Sequence, residues 1–347
     1  MLLAQHRRSG SIHCKTGLRI AATAGKIFFA GAALLLVVSS PIFAAQPARV
    51  RIHIPSKSLS LMPFYFGKDK GFFSKEVVDV ELIAMAPPTA IAALVAGELD
   101  FSTTLGAATS AIMQGHPLKR IFYVQHEPAH VLVGQPEIKS VKELDGKVVS
   151  VNAITDATGM SARLILKANG VDPARVTLLS TGVTENAYKS LTTGKVAATM
   201  LAPPFAQELE AKGYSHLAEA RDYAPLSFIG LVAHAAALKK NPAKAEAMIA
   251  GLLKTLAFLH APGNRGEIVR YVAAFHKIDP PLAEKALAAI LPTFSKDGTK
   301  PHQAVEKEIE IYRDTLKIAK AFAPDDLEDL SLLKKIAGAS TAQAEAR

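Results

Sequence analysis

The sequence has almost no cysteine and no tryptophan at all. Its 347 residues contain one cysteine, Cys14, close to the amino terminus. If the first residues are removed as a leader, the mature chain has no thiol, which excludes disulfides, a thiolate nucleophile, cysteine metal ligands and a lipid-bearing cysteine. Because tryptophan is missing, stacking on an aromatic ligand would fall to other rings such as Tyr65 or Phe205.

Acidic residues are absent from residues 1–45, which have the features of a leader. An apolar stretch over 27–38 is followed by a cleavage-like region over 39–45. The apolar stretch is about a dozen residues long, whereas a membrane span needs roughly 20. We therefore predict that 1–44 is a signal peptide and that the mature protein is periplasmic, with an uncleaved anchor as the alternative. The basic residues of the leader are Arg7, Arg8, Lys15, Arg19 and Lys26, and the polar residues after Arg8 favour general secretion over twin-arginine export.

The net charge of the whole chain, +9, comes largely from the leader. Without the basic residues of the leader, the formal charge is near +4. That modest excess suits an anionic ligand or a solvated basic surface, and no basic stripe with interleaved aromatic residues is present. We therefore predict no binding to nucleic acid.

Several catalytic motifs are also missing, and the one that is present has the wrong context. The chain has neither the phosphate loop G-x-x-x-x-G-K-[ST] nor the nucleophile elbow G-x-S-x-G. Residues His126 to His130 match H-E-x-x-H, which binds zinc on a continuous helix. Pro128 would break such a helix, and in an extended chain the two histidines would lie roughly 13 Å apart. We predict no catalytic residue, no metal site and no cofactor, and leave open whether His126 or His130 lines a ligand cleft.

Strands and helices alternate between residues 50 and 115. Strands are predicted over 50–54 and 78–85, and a helix begins at Pro63 after the first of them. Such alternation predicts a parallel sheet, whose ligands bind beyond the carboxyl ends of the strands. The segments after these strands carry hydroxyls, glycines and one lysine, but no evident acid–base pair. They predict a site that binds a ligand rather than converts it.

The residues of this region resemble those of one protein family. The first strand with its polar loop, the Pro-led aromatic helix, Gly71-Phe72-Phe73, and the run from Leu94 to Phe101 with a hydroxyl-rich turn are similar to periplasmic substrate-binding proteins of ABC importers. The branch for nitrate, taurine, alkanesulfonates and thiamine precursors looks closest, and the resemblance covers about residues 50 to 260. It implies an α/β chain with the type II periplasmic-binding-protein fold, in which two α/β lobes are joined by a two-segment hinge.

The resemblance also implies how the chain is divided. The first lobe would comprise 46–133 plus 228–347 and the second lobe 134–227, so that the two crossovers act as a hinge. The halves echo each other, because 94–101 and 191–198 both contain a helix end, a glycine and the entry to a strand. We interpret this as one α/β unit used twice. After Asn241 the chain is predicted to be mostly helical, over 242–260, 264–277, 281–291, 301–320 and 325–337.

The clearest candidate site is a turn of the second lobe, from Thr155 to Met160. It joins a predicted strand at 148–151 to a helix at 159–169, and a helix N-terminus offers unpaired N–H groups to an anion. A threonine adds a hydroxyl, a glycine permits close backbone approach, and the family commonly uses this turn for its ligand. The alternative is an ordinary helix cap. The candidates here are Asp156, Thr158, Gly159 and Met160.

The other candidates follow further strands of the two predicted sheets. The loop after strand 50–54 has a lysine that could supply a charge and serines that could donate hydrogen bonds. Hydroxyl-rich turns follow the next strands, where helix capping is the alternative explanation. Glu185 is interpreted as a surface residue, because its carboxylate would oppose an anion. The candidates are Ser56, Lys57, Ser58, Thr89, Thr103, Thr104, Gly106, Thr184 and Pro203.

Together these features predict a periplasmic solute-binding protein for a small anion such as a sulfonate, a carboxylate or nitrate. Its expected partners are that ligand and an ABC permease in the inner membrane, and we expect a monomer. The alternatives are an exported binding protein for a thiamine-precursor pyrimidine or an aromatic ligand, an enzyme related to thiamine-pyrimidine synthase, and the sensor lobe of a transmembrane receptor. The enzyme is disfavoured because its relatives use a cysteine-rich iron site, and the receptor because the sequence shows no second span.

Overall fold

The computed structural model describes residues 47–76, 78–223 and 225–345. The predicted signal peptide lies outside the described residues. Over these three ranges, no helix is both long and apolar enough to cross a lipid bilayer. Strands and helices alternate as far as His234, and the described chain after that is mostly helical.

Two five-stranded sheets form the framework of the described chain. Each sheet has three parallel strands followed by two strands in antiparallel pairing. The strands are β1 (Ala48–Ile54), β2 (Val78–Ala84), β3 (Phe101–Thr104), β4 (Leu118–Gln125), β5 (Val131–Gly134), β6 (Val148–Val151), β7 (Thr177–Ser180), β8 (Ala198–Leu201), β9 (Ser215–Glu219) and β10 (Ile229–His234). The first sheet has the order β2-β1-β3-β10-β4 and the second β7-β6-β8-β5-β9, so the repeated sequence pattern corresponds to a repeated topology.

The helices cover both sheets and build the C-terminal part of the first lobe. They are α1 (Met62–Asp69), α2 (Pro87–Val95), α3 (Leu105–Met113), α4 (Ala157–Ala168), α5 (Thr184–Thr192), α6 (Phe205–Ala211), α7 (Ala235–Lys240), α8 (Pro242–His260), α9 (Arg265–His276), α10 (Pro280–Ile290), α11 (His302–Leu316), α12 (Pro324–Leu327) and α13 (Ser331–Glu345). Helices α4 to α6 belong to the second lobe, and the others belong to the first.

The hydrophobic pattern explains how each element is positioned. Strand β1 buries Val50, Ile52 and Ile54 in the hydrophobic core of the first lobe. Helix α4 begins at its cap Asp156, and its apolar face lies in the core of the second lobe. It ends before Gly170, whose φ of 76° is the left-handed conformation that glycine adopts readily at helix ends. Parallel strands and covering helices therefore arise from the periodicities on which the fold prediction rests.

The chain crosses between the sheets twice, after β4 and before β10. The rings of His130 and Phe228 pack edge to face with centroids 4.1 Å apart, and Phe228 N–H donates to Gln125 O at 3.2 Å. The two crossovers therefore lie side by side. Strand β5 pairs with β8 and β9 from Val131 onward, and the lobe boundaries stay a prediction. Movement about these crossovers stays a prediction.

Some elements differ from the sequence prediction. The hydroxyl-rich segment after Asp100 is strand β3 rather than a turn, and β9 and α7 were not predicted. The helix predicted over 325–337 is interrupted between α12 and α13. There Asp329 N–H donates to Arg120 O at 2.9 Å, so pairing with the start of β4 draws the backbone out of a helical path.

A buried ionic cluster ties β4, α11 and the second crossover together. Arg120 Nη1 and Lys300 Nζ each lie 3.1 Å from a different carboxylate oxygen of Glu308. Ser227 Oγ also donates to Glu308, and Lys300 Nζ donates to Pro225 O and Ser227 Oγ. Burial alone would raise the pKa of Glu308, but the two cations hold it below its usual value. The cluster therefore fixes the segment that returns to the first lobe.

Candidate functional site

Segments that follow parallel strands of the two sheets meet at one interface. In the loop after β1, Leu59 N–H donates to Pro203 O, which follows β8, at 2.9 Å. On α3, which follows β3, Ser110 Oγ donates to Thr155 O, which follows β6, at 2.6 Å. Ligands of open α/β sheets bind beyond the carboxyl ends of the strands. We define the interface between these segments as the candidate cleft.

The second-lobe turn that was predicted to bind an anion is capped by its own aspartate. Asp156 Oδ1 accepts the N–H groups of Thr158 at 2.8 Å and of Gly159 at 3.1 Å. It also accepts the Thr158 hydroxyl proton at 2.6 Å, while Thr158 Oγ1 accepts Asn152 N–H at 3.0 Å. The helix-cap alternative therefore accounts for these donors. Neither the Thr158 nor the Gly159 N–H group is therefore free in this structure, and anion binding at this turn stays a prediction that would need another donor.

The capping carboxylate is itself unusual in its electrostatics. Asp156 is buried, and burial raises its pKa to about 6 even though the hydrogen bonds from Thr158 and Gly159 oppose the shift. Above that pH the side chain is a carboxylate, which would repel an anion at the same helix end. The N-terminus of α4 can therefore donate a hydrogen bond to a ligand, but it would not neutralise the charge of an anion.

Gly159 and Met160 serve internal packing in this structure. A methyl group added to Gly159 would lie 2.3 Å from Ile154 O, so its close approach is to the backbone of its own turn and not to a ligand. Met160 is buried and belongs to the core of the first lobe, although its helix belongs to the second. The α4 end is therefore an inter-lobe packing contact as well as a turn.

The serine loop of the first lobe is ordered by bonds within the loop and from α1. Ser58 N–H donates to Ser56 Oγ at 3.2 Å, and Ser56 Oγ donates to Ser58 Oγ at 3.1 Å. Tyr65 Oη donates to Ser56 O at 2.6 Å. Lys57 is exposed, and its ammonium makes no hydrogen bond or ion pair with any residue of the described ranges. Its charge therefore remains free to meet a ligand.

Glu185 takes part in the interface, which the sequence did not indicate. Its side chain is exposed, but Oε1 crosses from α5 to accept the backbone N–H of Lys57 at 3.1 Å. Glu185 is on the surface, as interpreted from the sequence, and it also forms this bond between the lobes. A carboxylate of the second lobe therefore contacts the backbone of the serine loop at Lys57.

The hydroxyl of Thr104 belongs to a buried chain of hydrogen bonds. Met85 O can only accept, so His53 Nε2 donates to it at 3.0 Å and His53 Nδ1 accepts from Ser102 Oγ at 3.0 Å. Thr104 Oγ1 in turn lies 3.3 Å from Ser102 Oγ and supplies the proton. Burial lowers the pKa of His53 to about 4, against the opposing effect of its bond to Met85, so the ring is neutral at pH 7. Thr104, predicted as a donor to the ligand, has already used its proton.

The other predicted residues are placed differently from one another. Thr103 is fully buried, and its hydroxyl has no hydrogen bond to a described residue. Thr89 is exposed on α2, and Thr184 is buried as the first residue of α5. Pro203 contributes its carbonyl oxygen to the inter-lobe bond from Leu59. Of these four, Thr103 keeps the properties of a candidate hydroxyl donor.

Two residues that sequence reasoning missed carry unsatisfied atoms beside the cleft. Asn152 Oδ1, directly after β6, and Tyr312 Oη, on α11, are buried without a hydrogen bond to any described residue. Tyr312 reaches the cleft at Gly106, since a methyl group there would lie 2.6 Å from Oη. The same methyl group would lie 2.5 Å from Ala157 N, so the predicted residue Gly106 allows the lobes to approach. No sequence signal marked Tyr312, because α11 is far from the strand ends along the chain.

The H-E-x-x-H segment does not form a helix. Residues 126–130 have irregular backbone, as Pro128 predicts. His126 borders a cavity of about 630 Å³ that His260 and Phe294 also line, within the first lobe. His130 is buried against Phe228, and burial lowers its pKa to about 3. Over 47–76, 78–223 and 225–345, no group of three or more His, Cys, Asp or Glu residues could hold a metal ion.

Similar proteins share this architecture. The sequence matches the family model described as NMT1/THI5 like over residues 59–263. No curated protein matches the sequence. A solved structure of a protein from Bordetella bronchiseptica RB50 has a TM-score of 0.74 at 19% identity and covers 85% of this chain and 99% of its own.

Two further solved structures have informative names. The alkanesulfonate-binding protein SsuA from Xanthomonas axonopodis pv. citri, bound to MOPS, has a TM-score of 0.67 at 18% identity, over 84% of this chain and 99% of its own. The periplasmic nitrate-binding protein NrtA from Synechocystis PCC 6803 has a TM-score of 0.67 at 13% identity, over 84% of this chain and 89% of its own. At these identities the matches establish the two-lobe periplasmic-binding-protein fold.

Proposed function

Because the chain belongs to the NMT1/THI5-like family, we propose that it is the solute-binding protein of an ABC importer. It would capture a small solute between its two lobes and deliver it to a permease in the inner membrane. The observation that carries this proposal is the meeting of strand-end segments from both sheets, joined by Leu59 N–H to Pro203 O and Ser110 Oγ to Thr155 O. Closure of such lobes around a ligand removes water and strengthens polar contacts.

We propose a small oxygen-bearing anion as the ligand, in the class of sulfonates, carboxylates and nitrate. Alkanesulfonate-binding and nitrate-binding proteins are among the structures with this fold. In this chain the free ammonium of Lys57 would provide a positive charge at the cleft. The buried Thr103 hydroxyl would add a donor.

A specific observation favours a second ligand class. Two carboxylates, Asp156 and Glu185, lie at the cleft, and the buried Asn152 Oδ1 can only accept a hydrogen bond. These groups suit an uncharged ligand with N–H donors, such as a thiamine-precursor pyrimidine. The two classes differ in charge, so the salt dependence of binding separates them.

The cellular setting is part of the proposal. A cleaved leader at 1–44 would place the mature protein in the periplasm. There it would act as a monomer that binds free solute and carries it to the permease. We propose binding without catalysis, because the sequence after the leader contains no cysteine for the iron-site motif of the synthase relatives. Sequencing the amino terminus of the exported protein tests the cleavage site directly.

A thermal-shift screen of the exported protein tests the proposed function. The panel contains taurine, MOPS, nitrate, a short dicarboxylate and 4-amino-5-hydroxymethyl-2-methylpyrimidine, with chloride at equal ionic strength as the control. A true ligand at about 100 times its Kd stabilises the folded protein by about 2.7 kcal/mol, which raises the Tm by about 5 °C. The proposal is contradicted if no compound raises the Tm above the chloride control.

A further inference from the structure

Tyr312 has the environment of a ligand contact rather than of a structural tyrosine. Its side chain is fully buried on α11, yet its hydroxyl makes no hydrogen bond to a described residue. Buried tyrosine hydroxyls usually find a partner. Burial, with Glu308 and Asp156 nearby, raises the pKa of Tyr312 well above its usual value, so the hydroxyl keeps its proton and remains a donor.

A second unpaired donor lies beside that hydroxyl. Helix α4 has its N–H groups at Thr158 and Gly159 taken by Asp156, and Met160 N–H donates to Asp156 O. Ala157 N–H, the first of the helix, has no acceptor among the described residues. The N–H of Ala157 is therefore the only one of the first turn of α4 that remains open within the described chain.

The two donors both lie beside Gly106 of α3. A methyl carbon added to Gly106 would lie 2.5 Å from Ala157 N and 2.6 Å from Tyr312 Oη. One donor belongs to the second lobe and the other to the first. Because both atoms lie close to this same point, they are near enough to each other for one ligand oxygen, seated between the lobes and outside contact with Gly106 Cα, to accept from both. The arrangement joins a helix N-terminus to a buried, unpartnered side chain directed at it.

We propose that Tyr312 Oη and Ala157 N–H form an oxygen subsite of the cleft, and that Tyr312 is a specificity-determining contact of the bound ligand. The subsite accepts a lone-pair oxygen of a carboxylate, sulfonate, nitrate or carbonyl group. It rests on the proposed function, since it describes how the same cleft recognises its solute. Helix α11 lies outside the residues 59–263 that match the family model, so this contact is supplied by the part of the chain beyond the match.

The test compares Tyr312→Phe with Tyr123→Phe in the full exported protein. Tyr123 is also buried in the first lobe, but its hydroxyl donates to Glu328. Unfolding is followed by urea denaturation of the free proteins, and affinity by calorimetry with taurine, MOPS, nitrate and 4-amino-5-hydroxymethyl-2-methylpyrimidine. Tyr312→Phe is expected to leave the urea midpoint unchanged or higher and to weaken the binding of the compound that wild type binds by about 3- to 10-fold. Tyr123→Phe is expected to lower the midpoint and to leave affinity unchanged.

The outcomes separate this inference from the proposed function. Wild-type affinity in Tyr312→Phe overturns the oxygen subsite while the binding function stands. A fall in midpoint as large as that of Tyr123→Phe also overturns it, because the hydroxyl would then have a structural partner. Absence of binding by wild type to every compound overturns the proposed function and this inference with it.

Discussion

Glu308 and Tyr312 lie one turn apart on α11, yet the polar atoms of one have partners and that of the other has none in the described chain. Both are buried completely. Both carboxylate oxygens of Glu308 are engaged, by Arg120 and Lys300 and by Ser227, whereas the Tyr312 hydroxyl has no partner in the described chain. An i, i+4 pair shares one helix face, so this contrast arises from what each side chain faces and not from the helix.

The contrast separates a polar group with internal partners from the one that we propose as a ligand contact. Glu308 faces β4 and the second crossover, where both of its oxygens are bonded within the first lobe. The Tyr312 end faces the point where α3 and α4 meet, at Gly106 and Ala157. An unsatisfied buried polar atom is expensive, so a ligand oxygen that accepted from Tyr312 Oη would supply a bond that the described chain does not.

The largest effect is expected from breaking the satisfied end of the pair. Glu308→Ala leaves Arg120 and Lys300 buried without their carboxylate, which we expect to lower the free energy of unfolding by about 3–5 kcal/mol. Urea denaturation measures the loss. The exposed Glu310 on the same helix provides the control, and Glu310→Ala is expected to change stability by less than about 0.5 kcal/mol. Equal effects of the two substitutions would show that the buried carboxylate stabilises the protein no more than an exposed carboxylate on the same helix.

Asp156 is a buried carboxylate without the cations that Glu308 has, so its pKa should shift in the opposite direction. Folding raises the pKa of Asp156 from 3.8 to about 6, so the folded protein keeps a proton that the unfolded chain releases. The resulting stabilisation is present below about pH 4 and is lost as the pH rises through 6, a loss of about 3 kcal/mol. Asp156→Asn keeps a capping oxygen but does not titrate. Relative to this variant, wild type should therefore lose stability between pH 4 and pH 7.

Thermal unfolding across that pH range measures the difference. Asp172 caps a short helical turn from an exposed position, accepting Ala174 N–H at 2.9 Å, so Asp172→Asn is the matched cap substitution. A constant difference between wild type and Asp156→Asn at all pH values would contradict the raised pKa.

An intermediate effect is expected at the meeting point of the lobes. Gly106→Ala places a methyl group against Ala157 N and Tyr312 Oη, and such overpacking costs about 1–3 kcal/mol in the closed form. Affinity for the bound panel compound should fall about 5- to 150-fold, and X-ray scattering should show a larger radius of gyration. In the control Gly266→Ala, on α9, the nearest atom to the new methyl group is Arg270 Nη1 at 3.6 Å, so binding should be unchanged. Wild-type affinity in Gly106→Ala would show that the lobes need not approach there.

Much of the fold followed from the sequence because periodic patterns are local. The alternation of strands and helices and the glycine after α4 are each set within a few residues. Strand β9 and the break before α13 were missed because pairing partners far along the chain decide them. Register and pairing depend on such partners, so the antiparallel pairing of β5 with β8 and β9 was not predicted.

The site was harder to predict than the fold. The segments after β1, β3, β6 and β8, where the sequence placed its candidates, do meet, and their contact with a ligand stays a prediction. The sequence could not show that Thr104 gives its proton to Ser102, or that Asp156 satisfies the end of α4, because those outcomes depend on competing acceptors. Tyr312 and Glu185 lie on helices whose patterns indicate only packing or solvent exposure. Their roles depend on contacts across the interface.

A crystal structure of the exported protein with the panel compound that most raises its Tm tests the account most directly. We expect the compound between the lobes, with one of its oxygens within hydrogen-bond distance of Tyr312 Oη and Ala157 N. Density for the compound in the cavity beside His126 and His260, with the cleft unchanged, would contradict the account.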